Sequence, residues 1–201
     1  MKYYVVDAFA ERLFTGNPAG VCLPEQELSR KLMQQIAAEN NLAETAFLLG
    51  REGEYRLRWF TPETEIDLCG HATLASAFVV MNFISPGRTE VRFETASGPL
   101  TVKREEEVYT MDFPSRMPRP VEKHGLLERA LNCRVLETHL ARDLVAVVES
   151  ETAVRNLHVN IPLLSEISRD LAFAVVVTAK GETCDFVSRF LPPTPVWRRT
   201  R

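Results

Sequence analysis

The chain has 201 residues, 45% of them hydrophobic and 25% charged, with a net charge of −3 and a pI near 5.9. That is the composition of a globular protein, long enough for one large or two small domains. Its acidic balance argues against nucleic acid or an anionic membrane as a partner, because a phosphate surface needs a basic face. Met1–Asp7 lacks the apolar core and cleavage site of a secretory signal. The four cysteines, Cys22, Cys69, Cys133 and Cys184, lie far apart with no CxxC pair. They are expected to be reduced thiols in a cytoplasmic protein. The histidines show no metal-ligand spacing, and no P-loop or GxGxxG follows a strand, so neither a metal nor a nucleotide or flavin cofactor is expected.

In chain order, Tyr3 to Phe9 predicts a strand. Phe14–Gly20, rich in Gly, Asn and Pro, predicts a turn. Val21–Leu23 resumes an extended run. Leu28, Leu32 and Ile36 recur at helical spacing and predict an amphipathic helix from Pro24 to Asn40, ended by Asn40-Asn41. Glu44–Leu49 is short and apolar, as a buried strand would be. Arg51–Glu54 predicts a hairpin turn, and Tyr55–Phe60 alternates as a half-buried strand.

The segment Thr61–Phe83 is the centre of the chain. It passes from an acidic loop and short strand into a helix starting at Gly70. His71–Phe83 is apolar on nearly every face, with small residues at Ala72, Ala75, Ser76 and Ala77. Such a helix is buried, and it is too short and interrupted to cross a bilayer, which needs about 20 apolar residues. Its N-terminus, with unpaired N–H groups and partial positive charge, is an anion site with a histidine at its mouth.

Three short strands are predicted at Thr89–Thr95, Leu100–Arg104 and Glu107–Phe113. Pro114–Pro120 holds three prolines in seven residues, the mark of a linker. Beyond it a helix at Val121–Leu131, strands at Val135–Leu140 and Leu144–Val148, short helices near Thr152–Leu157 and Leu163–Ile167, and strands at Leu171–Thr178 and Asp185–Phe190 are predicted. The expected domains are therefore 1–114, a linker at 115–120, a partial second lobe at 121–190, and an atypical Pro/Arg tail at 191–201. A half-built sheet leaves an unpaired edge.

Several residues are candidates for chemistry. Glu44 enters an apolar strand, where it is either a solvated strand-end carboxylate or a buried one whose raised pKa suits proton transfer. His71, in the first turn, is disfavoured as a cation by the helix dipole and is either a hydrogen-bonding neutral imidazole of a site or a backbone partner. Cys69, at the helix N-terminus, is either a nucleophile or base of lowered pKa or a small buried hydrophobe. Asp67 and Glu65 either bind a substrate ammonium or cap the helix. The Gly16–Gly20 turn, with Asn17, either shapes a pocket or is a plain turn.

Four stretches together carry a resemblance. They are Asp7-Ala-Phe9 with Phe14–Gly20, then Asn41-Leu-Ala-Glu-Thr-Ala-Phe47, then Trp59–Pro62 through Asp67-Leu-Cys-Gly-His-Ala-Thr-Leu74, and Cys184–Phe190. In this order they resemble the PhzF-like phenazine-biosynthesis isomerase family of the diaminopimelate-epimerase-like superfamily. The resemblance implies an α+β fold of two similar lobes, each a curved, mostly antiparallel sheet or barrel around a central helix, with the site in the cleft between them. It implies a cofactor-free isomerase in which Glu44 moves a proton on a small unsaturated or amino carboxylic acid, with His71 a further catalytic residue lining the pocket. Gly70, Cys69, Ala72, Asn17 and Asp67 would line the pocket, and the chain would pair as a homodimer. The family's further acidic-Pro-Val-Thr-Gly-Ser-Ala-His stretch is not found here, so the second lobe is expected to be incomplete. Two rival expectations stand beside this one. One is a cysteine-dependent epimerase or racemase using Cys69, with Cys184 a poor match for a second thiol. The other is a truncated, inactive binding module.

Overall fold

A computed structural model describes residues 1–12 and 14–192. The chain divides into two compact units, Met1–Phe113 and Pro114–Arg201.

The first unit runs β1 (Lys2–Ala8), β2 (Asn17–Leu23), α1 (Arg30–Asn40), β3 (Glu44–Arg51), β4 (Glu54–Phe60), β5 (Glu65–Ile66), α2 (Gly70–Val79), β6 (Glu90–Thr95), β7 (Gly98–Glu105) and β8 (Val108–Met111). Its strands form one mixed sheet in the order β1-β2-β3-β4-β6-β7-β8, with β5 on β4. The pairs β2–β3 and β4–β6 are parallel and the others antiparallel. The sheet curls into a half-barrel.

Alternation along the strands assigns the two faces of this sheet. Ala19, Val21, Ala46, Leu48, Leu57, Trp59 and Phe93 join the core around α2. Cys22, Phe47 and Phe60 point the other way and meet Met33 and Ala37 of α1. The first half of β3 is therefore covered on both sides, which is why Glu44–Leu48 is buried without a break.

Helix α1 is shorter than its periodicity predicts. It begins at Arg30, where the Ser29 hydroxyl accepts the N–H of Leu32 at 3.2 Å and sets the N-cap. Leu28 therefore lies before the helix, although it still packs beside Met33 in the outer cluster. Asn41 closes the helix in the left-handed conformation, φ 48°. The expected turn at Phe14–Gly20 is half strand, since Asn17–Gly20 already pair with β1.

Helix α2 buries Ala72, Thr73, Ala75, Ser76, Ala77 and Val79. The two hydroxyls enter the core because each finds a carbonyl one turn back: Thr73 Oγ1 donates to Cys69 and Ser76 Oγ to Ala72, both at 2.6 Å. Beyond Val79 the helix widens into a π-turn over Val80–Ile84. Among the described residues no helix is long and apolar enough to cross a membrane.

The second unit runs β9 (Arg119–Pro120), α3 (Leu127–Leu131), β10 (Val135–Leu140), β11 (Leu144–Val148), α4 (Glu151–Arg155), α5 (Ile161–Asp170), β12 (Val175–Lys180) and β13 (Phe186–Leu191). The sheet order is β13-β12-β11-β10-β9. Only β11–β12 is parallel, and α4 and α5 form its crossover. Both crossover helices carry side-chain caps, from Ser150 and Asn160. The helix predicted from Val121 starts only at Leu127, because β9 and Val121 are engaged with β10: Val121 N–H donates to Thr138 and Thr138 Oγ1 returns to the Val121 carbonyl. Leu191, expected in the tail, is instead the last residue of β13, paired with Val175 and buried. The rest of the expected tail, from Pro193 onward, lies outside the described residues.

Candidate active site

The parallel register of β2 and β3 sets Ala19 opposite Glu44. Glu44 thus shares a face with Ala46 and Leu48, the face toward α2. Its side chain keeps only 7% of its surface exposed. The solvated strand-end alternative does not hold.

His71 is the second residue of α2, and its side chain is 11% exposed. Its Nε2 lies 3.0 Å from Glu44 Oε2. The approach falls outside hydrogen-bonding geometry, and among the described residues neither of these buried atoms has a hydrogen-bond partner. On the other side of the ring, Nδ1 lies 3.5 Å from Cys69 Sγ. The imidazole therefore stands between a carboxylate and a thiol.

Cys69 occupies the N-cap position of α2 without a side-chain cap bond. The lowered thiol pKa expected of a helix N-terminus is not found. Burial pushes the Cys69 thiol up, and the charge of Glu44 pushes it further. Hydrogen bonds from the backbone of Ala72 and His71 pull the other way but are outweighed. Desolvation beats the helix terminus here because the sulfur is closed off from water, so the thiol stays protonated.

The remaining expected pocket residues are placed as follows. Gly70 opens α2, half-exposed, and the Phe113 ring stands 3.7 Å from where a Cβ would be. Phe113 has no signal in the sequence that would tie it to Gly70. Ala72 is fully buried in the core, so only its backbone faces Cys69. Asn17 is half-buried on β2, on the same face as Ala19 and therefore as Glu44. Asp67 is exposed, and its carbonyl accepts the Ser97 hydroxyl at 2.9 Å. Glu65 does not cap α2. Its carboxylate is held by Arg58 through two bonds of 2.6 and 2.9 Å and by Arg30 at 2.8 Å.

A carboxylate, an imidazole and a thiol thus converge beside a helix N-terminus. Such a set can accept and return a proton at the carboxylate, orient an anion at the helix, or ligate a cation. For the last, one donor atom each from Glu44, Cys69 and His71 lies within 4.8 Å of the others.

Fold and site together define a two-unit α+β protein with a buried carboxylate beside an imidazole at a helix end. A family model described as phenazine biosynthesis-like protein matches residues 6–196, and the chain belongs to that family. An uncharacterised isomerase of Pseudomonas aeruginosa is 44% identical over 96% of this chain and 73% of its own length. A human phenazine biosynthesis-like domain-containing protein is 34% identical over 96% of the chain and 76% of its own length. The crystal structure of a PhzF-family protein from Enterococcus faecalis superposes with a TM-score of 0.88 at 47% identity, covering 95% of this chain and 73% of that one. With curated isomerases among its relatives, the chain is an enzyme of the isomerase class. A hydroxyproline epimerase from Agrobacterium vitis shares the fold, with a TM-score of 0.56 at 13% identity.

Proposed function

We propose that the protein is a cofactor-independent isomerase that shifts a proton along a small unsaturated or amino carboxylic acid. Glu44 is the acid/base. It removes a proton from a substrate carbon and returns it at another carbon, so that one C–H bond breaks, one forms, and nothing else is consumed. His71 stands against Oε2 and orients the carboxylate. The N-terminus of α2 receives the substrate carboxylate, with Gly70 leaving the approach open and Asn17 on the adjoining strand face. A homodimer and a cytoplasmic location belong to the same reading.

One observation carries it: the buried Glu44 oxygen set 3.0 Å from the His71 nitrogen, with neither atom otherwise hydrogen-bonded among the described residues. Leaving two polar atoms of this kind buried costs roughly 1–3 kcal/mol each, a cost a substrate would offset. A cysteine-dependent epimerase is disfavoured, because the Cys69 thiol is held protonated.

The test is proton exchange. A panel of small unsaturated and amino carboxylic acids is incubated with the protein in D2O and followed by NMR. Deuterium should enter carbon positions of a turned-over acid, and Glu44→Gln should abolish that entry while keeping the fold. Undiminished exchange in Glu44→Gln would reject Glu44 as the acid/base.

A further inference from the structure

We propose that Glu44, Cys69 and His71 form a three-ligand site for a thiophilic divalent cation of the zinc class, and that the bound cation blocks the pair assigned above to proton transfer. Three donors of different type, O, S and N, lie within 4.8 Å of one another, and Glu44 and Cys69 are buried while His71 is nearly so. Around a tetrahedral zinc with bonds of about 2.0–2.3 Å, donor–donor edges come to roughly 3.3–3.7 Å. Side-chain shifts of about an ångström close the set to that size. The 3.5 Å between Cys69 Sγ and His71 Nδ1 matches such an edge, and because Nε2 is the nitrogen that faces Glu44, a turn of the imidazole brings one nitrogen to both other donors.

A second, independent observation points to a ligand. The Glu44 side chain is more than nine-tenths buried, and its Oε2, which faces His71 Nε2 at 3.0 Å, has no hydrogen-bond partner among the described residues. A cation satisfies this oxygen directly. It also settles the charge, because binding displaces the Cys69 proton to solvent, and one divalent ion then balances one thiolate and one carboxylate. The donor set decides the class of ion. Magnesium and calcium require oxygen ligands, whereas a thiolate with an imidazole selects zinc, cobalt or copper. With three protein ligands the fourth position stays open to water or to a substrate carboxylate, so the cation occupies the place of the moving proton.

The inference about inhibition rests on Glu44 being the acid/base; the binding itself does not. Chelator-stripped full-length protein is titrated anaerobically with Co2+ while absorbance is followed. One equivalent should produce a thiolate-to-cobalt charge-transfer band with intense four-coordinate d–d bands, and Zn2+ should displace it. Cys69→Ala should remove the charge-transfer band. Glu44→Gln and His71→Ala should each weaken binding by about tenfold or more, since even partners outside the ligand shell commonly cost 10–100-fold. Cys133→Ala and Cys184→Ala should leave the bands unchanged. Circular dichroism of each variant excludes unfolding as the cause. A cobalt spectrum without thiolate character, or one that survives Cys69→Ala and vanishes in Cys184→Ala, overturns the site. If the bands appear as described but Glu44→Gln retains deuterium exchange, the metal site stands and the acid/base assignment falls.

Discussion

Glu65 ties three elements of the first unit together, and replacing it by glutamine should measurably loosen that unit. Its carboxylate receives Arg58 from β4 through two bonds and Arg30 from the first turn of α1 through a third. The Arg58 and Glu65 side chains are 27% and 23% exposed, and Arg30 67%. Exposed pairs contribute about 0–1 kcal/mol, while breaking a buried pair costs about 3–5 kcal/mol. This triplet lies between the two, so Glu65→Gln should cost about 2 kcal/mol at pH 7, which is roughly 1 M in urea midpoint for an m-value near 2 kcal/mol/M. The probe is Trp59, buried in the first unit, read by fluorescence in a Trp197→Phe background.

The pH dependence has a fixed sign. The Arg58 and Arg30 guanidinium groups hold the Glu65 carboxyl below the usual carboxylate range. Stability from a carboxylate with a depressed folded-state pKa is present above the unfolded value, about 4.3, and is lost as pH falls through the folded-state pKa. The gap between wild type and Glu65→Gln should thus persist from pH 7 to 5 and shrink below about pH 4. Equal midpoints at pH 7, or a gap that keeps its size below pH 4, would refute the reasoning.

Two further outcomes follow from the core. Iodoacetamide should modify exposed Cys184 first, and leave Cys69 and Cys22 protected between pH 7 and 9. Burial raises both thiols, Cys22 to about 12, and early alkylation of Cys69, read by peptide mass spectrometry, would contradict this. Ala75→Leu forces extra methylenes into the buried wall of α2 and should cost about 1–3 kcal/mol. Ala38→Leu, the same substitution at an exposed position of α1, serves as the control in the same denaturation experiment.

Much of the fold is legible from local patterns, and the failures have local causes. Strands Val135–Leu140 and Leu144–Val148 fall at the bounds expected from the sequence. The buried helix begins at Gly70, as its all-apolar surface predicts. The start of α1 lies later than its periodicity predicts because Leu28 continues the helical spacing while Ser29 supplies the cap. Periodicity records burial, and a residue can be buried next to a helix without belonging to it. The start of α3 lies later than expected because Thr138, distant in sequence, takes the backbone of Val121. The candidate site shows the same division. The family resemblance assigns Glu44 and His71 to one pocket, but that they lie 3.0 Å apart is not legible in any spacing rule, since the two meet through sheet register. The protonated state of Cys69 depends on how dry its surroundings are, which a helix-terminus rule does not contain.

The pairing of Ala19 with Glu44 has a consequence for how this chain can change. Side chains in a strand alternate, so a slip of one residue between β2 and β3 would turn Thr45 toward α2 and carry Glu44 beneath α1. The chemistry of the site is thus written in hydrogen-bond registry as much as in residue identity. Length changes in the Pro24–Leu28 connection, outside the paired stretch, leave the carboxylate where it is. A single residue gained or lost between Glu44 and Phe47 evicts it without altering one amino acid of the site.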